Sequence, residues 1–142
     1  MVKLLIGHKG SGKTKKMVEL ANDCLNTVNG SVVFINKNSR LTTDLKYSIR
    51  VICMDDFELI TNVDEYIGFV YGVISQDHDI EYIYIDSILK LADINIENLE
   101  EFLVRIEKIS KEHNIQFVVS LSAEETDLGE FIHNYEVVNL AE

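Results

Sequence analysis

Residues 7–14 read Gly7-His8-Lys9-Gly10-Ser11-Gly12-Lys13-Thr14, the pattern G-x-x-x-x-G-K-[ST], and this octapeptide decides how the rest of the chain is read. Before it stands Val2 to Ile6, an apolar run broken only by Lys3. After it, Lys13 to Val28 places Met17, Leu20, Ala21, Cys24, Leu25 and Val28 on one helical face. Strand, glycine-rich turn and helix in that order is the context the pattern requires. Gly7, Gly10 and Gly12 permit backbone angles and close approaches that a Cβ would forbid, so successive amide N–H groups can surround one phosphate. The helix end adds unsatisfied N–H groups and a positive dipole. Lys13 brings a compact positive charge to the outer phosphates and is expected to be solvent-accessible. Thr14 brings a hydroxyl for Mg²⁺. Gly7, His8, Lys9, Gly10, Ser11, Gly12, Lys13 and Thr14 together form the candidate phosphate site.

Charge is distributed in keeping with that site. Residues 1–50 carry nine Lys or Arg against three acids, a net +6, whereas residues 51–142 carry four against 21, a net −17. Lys9, Lys13, Lys15 and Lys16 account for much of the basic excess. The total of −11 disfavours binding to nucleic-acid backbones or anionic lipid.

Outward from the octapeptide, short β-branched runs alternate with helical spacings, the signature of an α/β fold. Strands are expected at Val32 to Ile35, Arg50 to Met54, Tyr82 to Ile85, Ile115 to Val119 and Tyr135 to Val138. Asn29 and Gly30 should end the first helix, with Gly30 as a left-handed cap. Asn62 with Glu65 forms a capping box, Asn95 should cap a helix through Ile109, and Ser122 with Glu125 gives another box. Asp55 with Glu58 can start a short helical turn. With 142 residues, 46% of them hydrophobic, no proline, no linker and no repeat, one domain is expected over 1–142. Cys24 and Cys53 form no pair with metal-ligand spacing, which suits a reducing compartment. No run approaches 18 apolar residues, and a cytoplasmic location with no membrane association is expected.

Tyr82-Ile83-Tyr84-Ile85-Asp86, a strand apolar on both faces followed by Asp, resembles a Walker B motif, with Asp86 as the carboxylate on the metal side. With the phosphate loop upstream, the chain resembles the P-loop NTPase superfamily, in its RecA-like and thymidine-kinase-like branch, over nearly its whole length. That resemblance implies a three-layer α/β/α fold with a mostly parallel central sheet in the order 5-1-4-3-2. It also implies ATP or another nucleoside triphosphate with Mg²⁺ at the carboxyl edge. An extra strand lies between the loop strand and the Asp86 strand. In that branch a polar residue ending the strand after Walker B senses the γ-phosphate, a place held here by Ser120 or Ser122.

The chain departs from the family's hydrolytic pattern. Ser87 stands where a Glu often follows the Walker B Asp to polarise water. Asp55 and Asp56 are the candidates for an upstream catalytic carboxylate, with helix capping as their simpler reading. Asn36-Lys37-Asn38-Ser39 lacks the Asp of the guanine-reading pattern. Beyond residue 51 only Arg105 could clamp a transferring phosphoryl group, too few for a self-sufficient kinase, and no zinc-binding cysteines are present. Two readings follow: a weak or partner-dependent ATPase completed by a protein partner or another subunit, or a non-hydrolysing module whose nucleotide sets an interaction surface. A DNA motor conflicts with the charge balance.

Overall fold

The computed structural model describes residues 1–38 and 44–140. Six strands, β1 (Val2–Gly7), β2 (Ser31–Asn36), β3 (Arg50–Cys53), β4 (Ile80–Ile85), β5 (Gln116–Ser122) and β6 (Glu136–Asn139), form one sheet. Their order is β3-β2-β4-β5-β1-β6, and every neighbouring pair is parallel. With β6, β1, β5, β4 and β2 in the five places of the order 5-1-4-3-2, that order holds. The extra strand is β3, which extends the sheet beyond β2 as an edge.

Parallel strands covered on both faces read as near-continuous apolar runs, and alternate residues divide between the faces. On one face Leu5, Phe34, Tyr84 and Val118 pack against Met17 and Ala21 of α1 (Lys13–Cys24). On the other, Leu4, Ile35, Ile83 and Val119 pack beneath α2 (Val63–Ser75) and α3 (Leu99–His113). Tyr66 of α2 meets Phe102 of α3 edge to face, ring centroids 5.8 Å apart. Helices on both sides of the sheet complete three layers. No helix among the described residues is long and apolar enough to cross a membrane.

Several element ends differ from the sequence reading. α1 stops at Cys24, and Thr27 and Val28 close a turn by donating to the Cys24 carbonyl. Gly30 is not a left-handed cap; positive φ among the glycines is confined to Gly10 and Gly12. Its backbone instead lies against Asp79, whose carbonyl oxygen would sit 1.9 Å from an added Cβ. The Asn62 carboxamide accepts from Glu65 N as expected, but Glu65 returns its bond to Thr61 N at 2.7 Å. α3 begins at Leu99; Asn98 stands at its cap position without a side-chain bond to the helix, and Asn95 and Asn98 exchange side-chain to backbone bonds ahead of it. Ser122 ends β5, and the following 3-10 turn, Glu125–Asp127, has Glu124 at its cap position with no side-chain bond, so that capping box does not form.

Candidate functional site

Strand β1 ends at Gly7, and the chain turns through residues 8–12 into α1. Gly10 and Gly12 have φ of +86° and +88°, values L side chains rarely adopt, and nothing lies within 4 Å of a Cβ built on either. Glycine is required there by the sign of φ and not by lack of space. Gly12 is the N-cap residue of α1, makes no side-chain cap bond, and no acidic side chain lies in the first turn. An uncapped helix end with its N–H groups facing the turn favours an anion.

Lys13 is 6% exposed, contrary to the expectation that it is accessible. Its Nζ donates to the His8 carbonyl at 2.9 Å and to Ser11 Oγ at 3.5 Å, so the side chain folds across the loop it belongs to. Lys9, Gly10, Gly12, Lys13, Thr14 and Lys15 line a cavity of about 320 Å³, closed on its far side by Ser87 and Ser122. Pairing register explains Ser122: β5 runs beside β1 so that Ser122 stands opposite Gly7.

Beneath this cavity lies a buried polar chain. Thr14 Oγ1 donates to Asp86 Oδ2 at 2.8 Å, and Ser120 Oγ donates to Asp86 Oδ1 at 2.6 Å. The Ser87 N–H donates in turn to Ser120 Oγ at 2.7 Å. Asp86 is 2% exposed and Ser120 fully buried, so Ser120 sits below the cavity, whereas Ser122 borders it. Asp86 follows β4 directly, and its N–H continues the sheet by donating to the Ile35 carbonyl at 2.9 Å.

Asp55 and Asp56 lie in a 3-10 turn after β3, at the sheet edge. The strand adjoining β4 on that side is β2, ending in Asn36, so two strand spacings, about 10 Å, separate the β3 end from the β4 end. Asp55 pairs with Lys37 Nζ at 3.2 Å and takes part in a different hollow, with Lys37, Met54 and Phe57. Neither aspartate lines the cavity over Asp86.

The donor set over Asp86 fits Mg²⁺. A hydroxyl and a carboxylate oxygen converge beside a cavity open to phosphates and water, and this cation takes few protein ligands and keeps several waters. Elsewhere among the described residues no group of three or more His, Cys, Asp or Glu is placed to hold a metal ion. Cys24 and Cys53 are free, and burial pushes both thiols up.

No protein-family model matches the chain, and no curated protein matches its sequence. Among solved structures, a KaiC-like protein from the hyperthermophilic archaeon Pyrococcus horikoshii OT3 superposes with a TM-score of 0.67 at 18% sequence identity. The two share a fold. The match covers 94% of this chain and 66% of that one, just under two thirds of its length. The architecture is therefore the RecA-like three-layer α/β fold, and the candidate site sits at its carboxyl edge.

Two residues at that edge carry weak signals in the sequence. Ser87 is marked only by following Asp86, where it stands as an absent Glu. Ser122 reads in sequence both as a helix cap and, by resemblance, as one of two candidates beside the phosphates, and only the register opposite Gly7 brings it to the cavity.

Proposed function

We propose that residues 1–142 form a single nucleotide-binding domain that takes a nucleoside triphosphate, ATP in the first instance, together with Mg²⁺. The observation that supports this reading is the hydrogen bond from Thr14 to Asp86 beneath a glycine loop lined by three lysines. Loop amides and the α1 terminus would hold the phosphates, Lys13 would exchange its bond to the His8 carbonyl for the outer phosphates, and Thr14 with Asp86 would hold Mg²⁺. The ion supplies charge neutralisation across the phosphates when bound.

Hydrolysis in this reading is weak or depends on a partner. Asp86 is committed to two hydroxyls beneath the cavity, and no carboxylate lines the cavity itself among the described residues. A group from another subunit or protein would then complete the site. The same observation favours a second reading, in which nucleotide sets the shape of an interaction surface and turnover is negligible; the net −17 beyond residue 50 suits a basic partner. Two free thiols suit the cytoplasm. Isothermal titration with ATP, ADP, GTP and dTTP, each with and without Mg²⁺, tests the binding. Phosphate release across protein concentrations then separates the two readings. Turnover above a Lys13→Ala control supports the ATPase, and none at any concentration leaves the binding module.

A further inference from the structure

We propose that Ser120 is a positioning residue for the Mg²⁺ site, its one hydroxyl fixing Asp86 Oδ1 and the Ser87 backbone together so that Oδ2 is the carboxylate oxygen left facing Thr14 and the metal. The inference rests on the nucleotide reading above and adds to it a residue that touches neither phosphate nor metal.

Ser120 lies in the middle layer, fully buried, between the buried residues Val119 and Leu121. A hydroxyl at such a position costs free energy unless its hydrogen-bonding capacity is used. Here the donor goes to Asp86 Oδ1 at 2.6 Å and a lone pair accepts the Ser87 N–H at 2.7 Å. An amide can only donate, so Ser120 Oγ accepts from Ser87 and its own hydrogen is left for Asp86 Oδ1.

Two consequences follow for the site. With Oδ1 occupied from below, the Asp86 carboxylate cannot rotate to present either oxygen at random. Ser87, whose φ of +60° and ψ of +52° are uncommon for a residue with a Cβ, is held in that conformation by its amide and so keeps its place in the cavity wall. Metal carboxylate and cavity wall are thereby set by the same side chain. Partners of metal ligands that orient them in this way are worth about 10–100-fold in metal affinity when removed.

The test compares the wild type with Ser120→Ala, with Ser120→Cys as a similar-volume variant lacking a strong donor should the alanine protein not fold. Val119→Ala serves as a control that weakens the same strand without touching Asp86. Hydrogen exchange at the Ser87 amide, read in protein free of nucleotide and metal, should be slow in the wild type and the control. It should be about fivefold faster without the hydroxyl, the factor that corresponds to a lost hydrogen bond of typical strength. Titration with ATP should show the affinity gained on adding Mg²⁺ reduced about tenfold in Ser120→Ala and retained in Val119→Ala, with Mg²⁺-free affinity unchanged in both. Equal Mg²⁺ gains in wild type and Ser120→Ala would overturn the inference. A wild type that binds no nucleotide at all overturns the proposed function instead, and the metal half of this inference with it.

Discussion

Thr14, the second residue of α1, donates its hydroxyl hydrogen to Asp86 at the end of β4, closing 2.8 Å across 72 positions of sequence. Without metal, this bond gives one oxygen of a carboxylate only 2% exposed its partner. Thr14→Val keeps the shape and removes the donor. It should cost about 1.5–3 kcal/mol, the usual worth of a hydrogen bond to a charged group. Urea unfolding measures it, with Thr14→Ser as the variant that keeps the hydroxyl. A valine protein as stable as the wild type would mean that water replaces the bond and that Asp86 is less confined than its burial indicates.

Lys13 spans its own loop to the His8 carbonyl, so Lys13→Ala removes an internal tie as well as a charge. The fold should survive with a loss of about 1 kcal/mol, a typical net value for one hydrogen bond. Mg-ATP affinity should fall much further, about 10–100-fold, the equivalent of a charge-assisted contact. Calorimetric titration beside a thermal melt reads both. Unchanged affinity would place the nucleotide somewhere other than this loop.

Glycines inside and outside the octapeptide should respond differently to alanine. Gly12 has room for a Cβ but the wrong sign of φ, so Gly12→Ala should cost about 1–2 kcal/mol of backbone strain and disturb nucleotide binding. Gly30 has no unusual φ, but an added Cβ would stand 1.9 Å from the Asp79 carbonyl oxygen. Gly30→Ala should lower stability more than Gly12→Ala while sparing nucleotide affinity. Urea midpoints and titrations on the two variants decide it, and the reverse ranking would refute the close approach.

These contrasts show which parts of the site were legible before the fold was known. The glycine turn between β1 and α1 was readable because its parts are neighbours in the chain and each has a local reason. Asp86 was readable because a strand apolar on both faces ends there. Ser120 as a bridge was not, since it depends on β5 lying between β1 and β4, and on the register that pairs Ser120 with Leu5 and Ser122 with Gly7. The same holds for Gly30, whose need for glycine comes from Asp79 on a distant segment. Asn95 reads as a helix cap in sequence, but its side chain and that of Asn98 bond to each other's backbone amides and neither caps α3, a local exchange that spacing alone does not reveal. The place of β3 at the edge, which carries Asp55 away from the cavity and onto Lys37, is likewise a fact of sheet order.

Glu65 gives a pH dependence of known sign. Bonds from the Thr61 N–H and hydroxyl hold its carboxyl below the ordinary carboxylate range. A lowered value means that the ionised form is favoured by folding. Its stabilising effect is full above the ordinary range and is lost as pH falls through the lowered value. Glu65→Gln should therefore show a smaller drop in urea midpoint between neutral and acid solution than the wild type. Identical drops would show that Thr61 holds the group no better folded than unfolded.

Two buried tyrosines should answer the same substitution with opposite signs. The Tyr66 ring is fully buried, 5.7 Å from Phe69 and 5.8 Å from Phe102, yet its hydroxyl has no hydrogen-bond partner, and burial pushes its pKa far up. An unsatisfied buried hydroxyl costs about 1–3 kcal/mol, so Tyr66→Phe keeps the ring contacts and should stabilise by about 1 kcal/mol after the small void is counted. Tyr84 is buried too, stacked against Phe34 and Tyr82, but its hydroxyl donates to the Leu20 carbonyl of α1 at 3.2 Å. Tyr84→Phe should destabilise by about 1 kcal/mol, because it removes the bond from this hydroxyl to α1. Chemical denaturation of the two variants in parallel is the measurement. Tyr66→Phe proving destabilising would mean that the hydroxyl has a partner, and a neutral Tyr84→Phe would mean that α1 is held by its apolar face alone.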